Sequence, residues 1–173
     1  MTGNCHVRCE AGENPEIESK DYLSLFECYS AVEASLTGHT VVSTVHAGPG
    51  PAAHMRIALL CQKRFPIDFN TSLVQAGQAF PLVVYAHKLE NNQRRIMDIS
   101  ECIITPSGER EYRCLYDFRI TKNTVENGEF VVDGQFGKPN IMSENLKRRL
   151  IQYGVPQDEL SFFLKEQKEE DTA

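Results

Sequence analysis

The chain has 173 residues, 41% of them hydrophobic, which suits one domain or one domain with a small appendage. A formal charge of −6 argues against nucleic acid as the main partner. No stretch approaches the roughly 20 apolar residues of a membrane span, and the start lacks a basic-then-apolar export signal, so the cytoplasm is the expected compartment.

Residues 1–20 are polar and acidic, punctuated by Gly12-Glu13-Asn14-Pro15, and read as a flexible leader. Within it, Cys5-His6-Val7-Arg8-Cys9 brings two thiols and an imidazole close together in sequence. Zinc needs a fuller set of nitrogen and sulfur ligands, and no second Cys/His pair follows at finger-like spacing, so no metal site is expected. The cysteines at 5, 9, 28, 61, 102 and 114 have no paired spacing, which predicts reduced thiols, with Cys102 and Cys114 as small core residues.

A helix is predicted from Asp21, a good N-cap, to Leu36, with Tyr22, Leu25, Phe26, Tyr29, Val32, Ala34 and Leu36 on one face. Glu27 and Glu33 are too far apart on it to form a carboxylate pair and read as surface charge. Gly38 suits the position just past a helix end, and His39 follows where the last carbonyls can accept a hydrogen bond. The β-branched run Thr40–Val45 then predicts a mostly buried strand, which delivers His46 to the strand exit where open α/β sheets bind ligands.

Ala47-Gly48-Pro49-Gly50-Pro51 is a poor phosphate cradle, because its prolines donate no N–H. Pro51 opens a predicted helix over Ala52–Arg64, with Met55, Leu59, Leu60 and Phe65 on its apolar side. Arg56, taken alone, is a surface ion-pair partner. A helix over Thr71–Ala79 leads into strands Pro81–Glu90 and Arg94–Thr105 around an Asn91-Asn92-Gln93 turn. Strands Arg113–Ile120 and Phe130–Phe136 follow, with Glu126-Asn127-Gly128-Glu129 turning the chain before the second. Val83, Tyr85, Ile96, Ile99, Ile103 and Leu115 are the expected core of this meander. Ser143-Glu144-Asn145-Leu146 opens a helix to Tyr153, Gly154 ends it, and Gln157 or Asp158 starts a last helix reaching Gln167. The basic residues Lys63, Arg64, Arg94, Arg95, Lys147, Arg148 and Arg149 read as solvated faces or local patches.

Several of these segments carry a resemblance. Thr37-Gly38-His39, Ser43-Thr44-Val45-His46-Ala47 and Arg56 resemble the histidine-box region of the ATPases that drive type II and type IV secretion and pilus assembly. Ala79-Phe80-Pro81-Leu82-Val83-Val84-Tyr85, Arg94-Arg95-Ile96-Met97-Asp98-Ile99-Ser100-Glu101 and Ser143-Glu144-Asn145-Leu146-Lys147-Arg148-Arg149-Leu150 look most like the Flp/Tad pilus branch. The match covers residues 27 to 164, and its words fall in the family's order.

The sequence lacks the phosphate loop of that family, Gly-x-x-x-x-Gly-Lys followed by Ser or Thr. The nearest text, Gly134-Gln135-Phe136-Gly137-Lys138-Pro139, has glycines spaced too closely and proline in place of the magnesium-binding hydroxyl, and reads as a turn after a strand. The family's acidic strand is also missing: if Glu27 matches the glutamate that opens the following helix, the catalytic glutamate falls at Tyr22.

The expected fold class is therefore α/β: a partial RecA-like P-loop ATPase portion followed by a β-meander and C-terminal helices. The expected divisions are a leader at 1–20, a core remnant with the histidine box at 21–80, a β-rich and helical subdomain at 81–167, and an acidic tail at 168–173. By resemblance, His46 would sense the γ-phosphate, His39 would support its loop, and Arg56 would tie nucleotide state to domain position. ATP and magnesium are implied by the family alone, and without the phosphate loop this chain is expected not to hold them tightly or to turn ATP over. The resemblance also implies partners: further copies of the chain or complete secretion-ATPase subunits, and the secretion or pilus machinery at the inner membrane, with a location in the cytoplasm or peripheral at its inner face. An unpaired Val41–Val45 edge is expected to promote self-association. The readings that follow are a truncated C-terminal domain, a regulatory module that joins a ring of complete subunits, and a clipped reading frame of an active ATPase.

Overall fold

A computed structural model describes residues 5–6 and 28–160. The chain is mixed α/β, with several helices and a four-stranded antiparallel sheet. It divides into two compact units, one comprising the chain to Val83 with Cys102–Tyr112, the other Val84–Glu101 with the chain from Arg113.

In the first unit, helix α1 (28–36) ends as predicted. Gly38 has φ +95°, its N–H donates to the Ser35 carbonyl (3.1 Å), and the His39 N–H reaches back to Ala34 (3.0 Å). This pair of bonds is a Schellman closure, and it needs a residue without a Cβ penalty at position 38. The predicted N-cap Asp21, together with Tyr22 and Glu27, lies outside the described residues.

The expectation of a buried strand over Thr40–Val45 is corrected. Among the described residues only Val41–Val42 (β2) pairs, in parallel with Cys5–His6 (β1), and Val42 is 65% exposed. β-branching favours extended backbone, but a strand is as long as its hydrogen-bonded partner, and here that partner is two residues of the leader. The leader is therefore structured at Cys5–His6; the rest of it lies outside the described residues.

Helix α2 (Gly50–Arg64) starts with Pro49 as N-cap and Pro51 in its first turn. Its buried face is Ala53, His54, Ile57, Ala58, Leu60 and Cys61, whereas Met55 and Leu59, expected inside, are exposed. Helix α2 packs on helix α3 (Phe69–Ala79), Ile57 and Cys61 meeting the small residues Ala76 and Ala79. Asp68 caps α3 by accepting the Thr71 N–H at 3.0 Å, which holds its carboxyl below the usual carboxylate range. Val32, Ile57, Cys61, Ala76 and Ala79 form the unit's main core, with Tyr29 and Phe80 packed against it. Burying side chains such as Val32 and Ile57 contributes about 1.5–3 kcal/mol each. The Ser35 hydroxyl ties α1 to the end of α3 by donating to the Ala79 carbonyl (2.7 Å).

The sheet runs β3 (Leu82–Lys88), β4 (Arg94–Ile104), β5 (Arg110–Glu126), β6 (Glu129–Gly137) in that spatial order, and the unit boundaries fall within β3, β4 and β5. Strand β5 is far longer than the predicted Arg113–Ile120. Its polar second half is held by pairing with β6 through a bulge between Ile120 and Lys122. Asn127 and Gly128 both have positive φ (52° and 84°), the geometry of a tight hairpin turn whose twist matches the strands.

In the second unit, Leu89, Phe118 and Val132 form a core with Met97 packed against it. Leu115 is buried as expected, but Ile96 is exposed. The segment Gly134–Gly137, read as a turn from sequence, lies inside β6. Helix α4 (Glu144–Gln152) ends near Gly154, whose φ is +92°, and a further helix begins at 157. Among the described residues no helix is long and apolar enough to cross a membrane.

Candidate functional site

The three residues singled out from sequence all lie in the first unit, within or between α1 and α2. His39 is exposed, with Nδ1 3.3 Å from the Ala34 carbonyl and 3.4 Å from the Thr37 hydroxyl. A carbonyl oxygen only accepts, so this contact places the proton on Nδ1, and the ring adds to the closure of α1 as the sequence suggested. His46 is exposed in the loop before α2 and makes no hydrogen bond among the described residues. Arg56 is half-buried on α2, and its Nε is shut off from solvent without a hydrogen-bond partner among them. Leaving such a donor unmet costs about 1–3 kcal/mol. No hydrogen bond joins any two of the three.

The start of α2 does not fit a triphosphate. Pro49 and Pro51 have no N–H, and the Ala52 N–H is already committed to the Pro49 carbonyl (2.9 Å). A phosphate cradle needs several converging backbone donors, and of the positions 49–53 that would open such a cradle, Pro49, Pro51 and Ala52 have none to offer.

Two polar centres were not anticipated. The first is His54, fully buried on α2. Its Nε2 lies 2.8 Å from the Phe80 carbonyl and its Nδ1 2.8 Å from the Tyr112 hydroxyl. Because the carbonyl can only accept, Nε2 carries the proton, and in the neutral ring Nδ1 accepts from Tyr112. Burial pushes the imidazole below its ordinary range, with nearby Arg110 adding to the effect against the opposing pull of the Phe80 bond. Burial likewise drives the Tyr112 phenol far up, with the neighbouring Cys102 thiol, through its charge and a hydrogen bond, pushing the same way. The imidazole therefore ties α2, the end of α3 and β5 together in its neutral form. The spacing Ala53/His54, Ile57/Ala58, Cys61 is a helical i, i+3, i+4 pattern, and it is the signal that places His54 on the inner face.

The second centre is Glu101, 3% exposed within β4. Its carboxylate accepts both the N–H (2.9 Å) and the hydroxyl of Ser143, and the same hydroxyl caps α4 by accepting the Leu146 N–H (3.1 Å). Negative charge at this helix start is favoured by the helix dipole. The Ser-Glu-Asn text predicts the cap, but nothing local to Glu101 predicts its partner.

Among the described residues no group of three His, Cys, Asp or Glu is placed to hold a metal, and Cys9 of the Cys5-His6-Cys9 segment lies outside them. Burial, with Asp98 and Asp117 nearby, raises the Cys114 thiol, so it stays protonated and is a poor nucleophile. No protein-family model matches the chain, and no curated protein matches it.

Proposed function

We propose that this chain corresponds to the C-terminal portion of a secretion or pilus-assembly ATPase of the Flp/Tad type, with the RecA-like histidine-box segment at its start, and that it does not hydrolyse ATP by itself. The observation that carries the second half of this reading is the α2 start. Its two prolines remove two donors and the Ala52 N–H is committed, which depletes the turn of donors for phosphates, and the sequence has no phosphate loop elsewhere. Donors aimed at a transferred phosphoryl group act only when the phosphates and magnesium are already held. The helix closure at Gly38-His39, the exposed His46 and the unmet Arg56 Nε support the first half, because they suit groups that complete a site built elsewhere. Complete ATPase subunits at the inner face of the membrane are the partners this reading names, with the chain as a regulatory member of their ring.

Calorimetry with magnesium-ATP on the purified chain tests the reading, with His46→Ala as control. No detectable heat is expected. Saturable binding that weakens in the His46 variant would overturn it and reopen the active-enzyme reading, which DNA upstream of Met1 encoding an in-frame phosphate loop would then explain.

A further inference from the structure

Strand β6 ends the sheet, and among the described residues no strand pairs with its outer edge. Natural edge strands are usually blunted by lysine, proline or brevity. The edge Glu129-Phe130-Val131-Val132-Asp133-Gly134-Gln135-Phe136-Gly137 has neither lysine nor proline, and it runs for nine residues.

The register with β5 fixes the chemistry of each face. Phe118 faces Phe136, Ile120 faces Gly134, Asn123 faces Val132 and Val125 faces Phe130, giving one apolar face. Phe118 and Val132 are buried there, while Val125, Phe130 and Phe136 remain about half exposed or more. On the other face Arg119 lies opposite Gln135, Lys122 opposite Asp133, and Glu126 opposite Glu129.

From this arrangement we propose that β6 pairs antiparallel with β6 of a second copy of the chain, about a two-fold axis at Val132. Charge disfavours the adjacent register, and the axis at Val132 is the one that sets Glu129 against Gln135. A two-fold at Asp133 would set one Asp133 carboxylate directly against the other, which is unfavourable. At Val132, Val131 meets the second copy's Asp133, and Glu129 meets its Gln135, behind which Arg119 stands. Each end of the joint then reads Glu126, Glu129, then Gln135 and Arg119 of the second copy. Glu129, beside a Glu126 already paired with Lys122 (2.6 Å), thus faces across Gln135 a guanidinium whose Nε is held by Asp117 (2.8 Å). On the apolar face Phe130 comes opposite Gly134, beside the Phe118 and Phe136 rings, which already pack edge-on at 5.2 Å. Isologous joining of this kind closes as a dimer and leaves no open edge at β6. The inference does not depend on the nucleotide reading.

Sedimentation equilibrium of the full chain at low salt tests it, using Gln135→Glu, Glu129→Lys and the double variant. Wild type is expected to dimerise. Gln135→Glu sets carboxylates against each other at both ends and raises the dimer dissociation constant on the order of 3- to 10-fold. Within one chain it also places a carboxylate opposite Arg119, so its fold is not weakened. Glu129→Lys puts an ammonium before Arg119 of the second copy and weakens the dimer similarly. Combining the two substitutions sets ammonium against carboxylate across the joint and restores wild-type association. A monomer at every accessible concentration, a dimer unmoved by Gln135→Glu, or a double variant as weak as the singles would each overturn the proposal.

Discussion

His46 and His54 lie on either side of the same proline-rich turn, yet the structure treats them oppositely. The imidazole that the sequence points to is exposed and makes no hydrogen bond among the described residues, while the one it passes over is buried and bonded at both nitrogens. A loop histidine is free to serve a ligand or nothing. A histidine on a helix's apolar face must find partners or cost stability, and the Phe80 carbonyl and Tyr112 hydroxyl are those partners.

The contrast breaks down or sharpens under substitution. His54→Ala opens a cavity and orphans both the carbonyl and the phenol, and should cost about 3–4 kcal/mol in urea unfolding. A loss near zero would mean that the node carries no stability. The Glu101–Ser143 centre is a second buried polar anchor against which to judge His54. Ser143→Ala removes the α4 cap and strands a buried carboxylate, for an expected loss of about 2 kcal/mol, with α4 amides exchanging fastest by hydrogen exchange. Tyr112→Phe leaves Nδ1 of His54 without its donor and should cost about 1–2 kcal/mol.

Acid tests the same node through linkage. The folded chain keeps His54 neutral with its pKa lowered, whereas the unfolded chain titrates it near about pH 6.5. The unfolded state therefore binds the extra proton as pH falls, and this contribution is full above about pH 6.5 and lost below it. Relative to His54→Gln, wild type should lose stability as the pH falls from about 7.5 to about 5.5. Equal pH slopes in the two proteins would refute the assignment. The smallest effect expected is His46→Ala, within about 0.5 kcal/mol, as suits an exposed side chain.

Local chemistry was legible wherever one residue decides the backbone. Gly38 closes α1, Pro51 opens α2, Asn127-Gly128 turns the hairpin, Ser143 caps α4 and Gly154 follows its end, all as the text suggests. Less legible was anything set by a distant partner. The Val41 run reads as a full strand but is only as long as β1, and the polar end of β5 reads as loop until β6 pairs with it. Met55 and Leu59 are exposed because the turn-to-turn packing of α2 on α3 runs through Ile57 and Cys61 against Ala76 and Ala79, a choice made by packing and not by hydropathy. For the site, His39, His46 and Arg56 lie in one unit, but no hydrogen bond joins any two of them. His54 and Glu101 were missed because their acceptors and donors lie 26 to 58 residues away.

The bond between Glu101 and Ser143 spans 42 residues and encloses the entire β5–β6 hairpin. A hairpin with a tight two-residue turn closes in about 1–10 μs, whereas the enclosing loop can shut only once that hairpin has shortened the distance between its ends. Refolding of the second unit should thus be ordered, with the Asn127-Gly128 hairpin zipping first and α4 docking last. In pulse-labelling, β5 and β6 amides would gain protection before those of α4, and substitutions at Ser143 would speed unfolding far more than they slow folding.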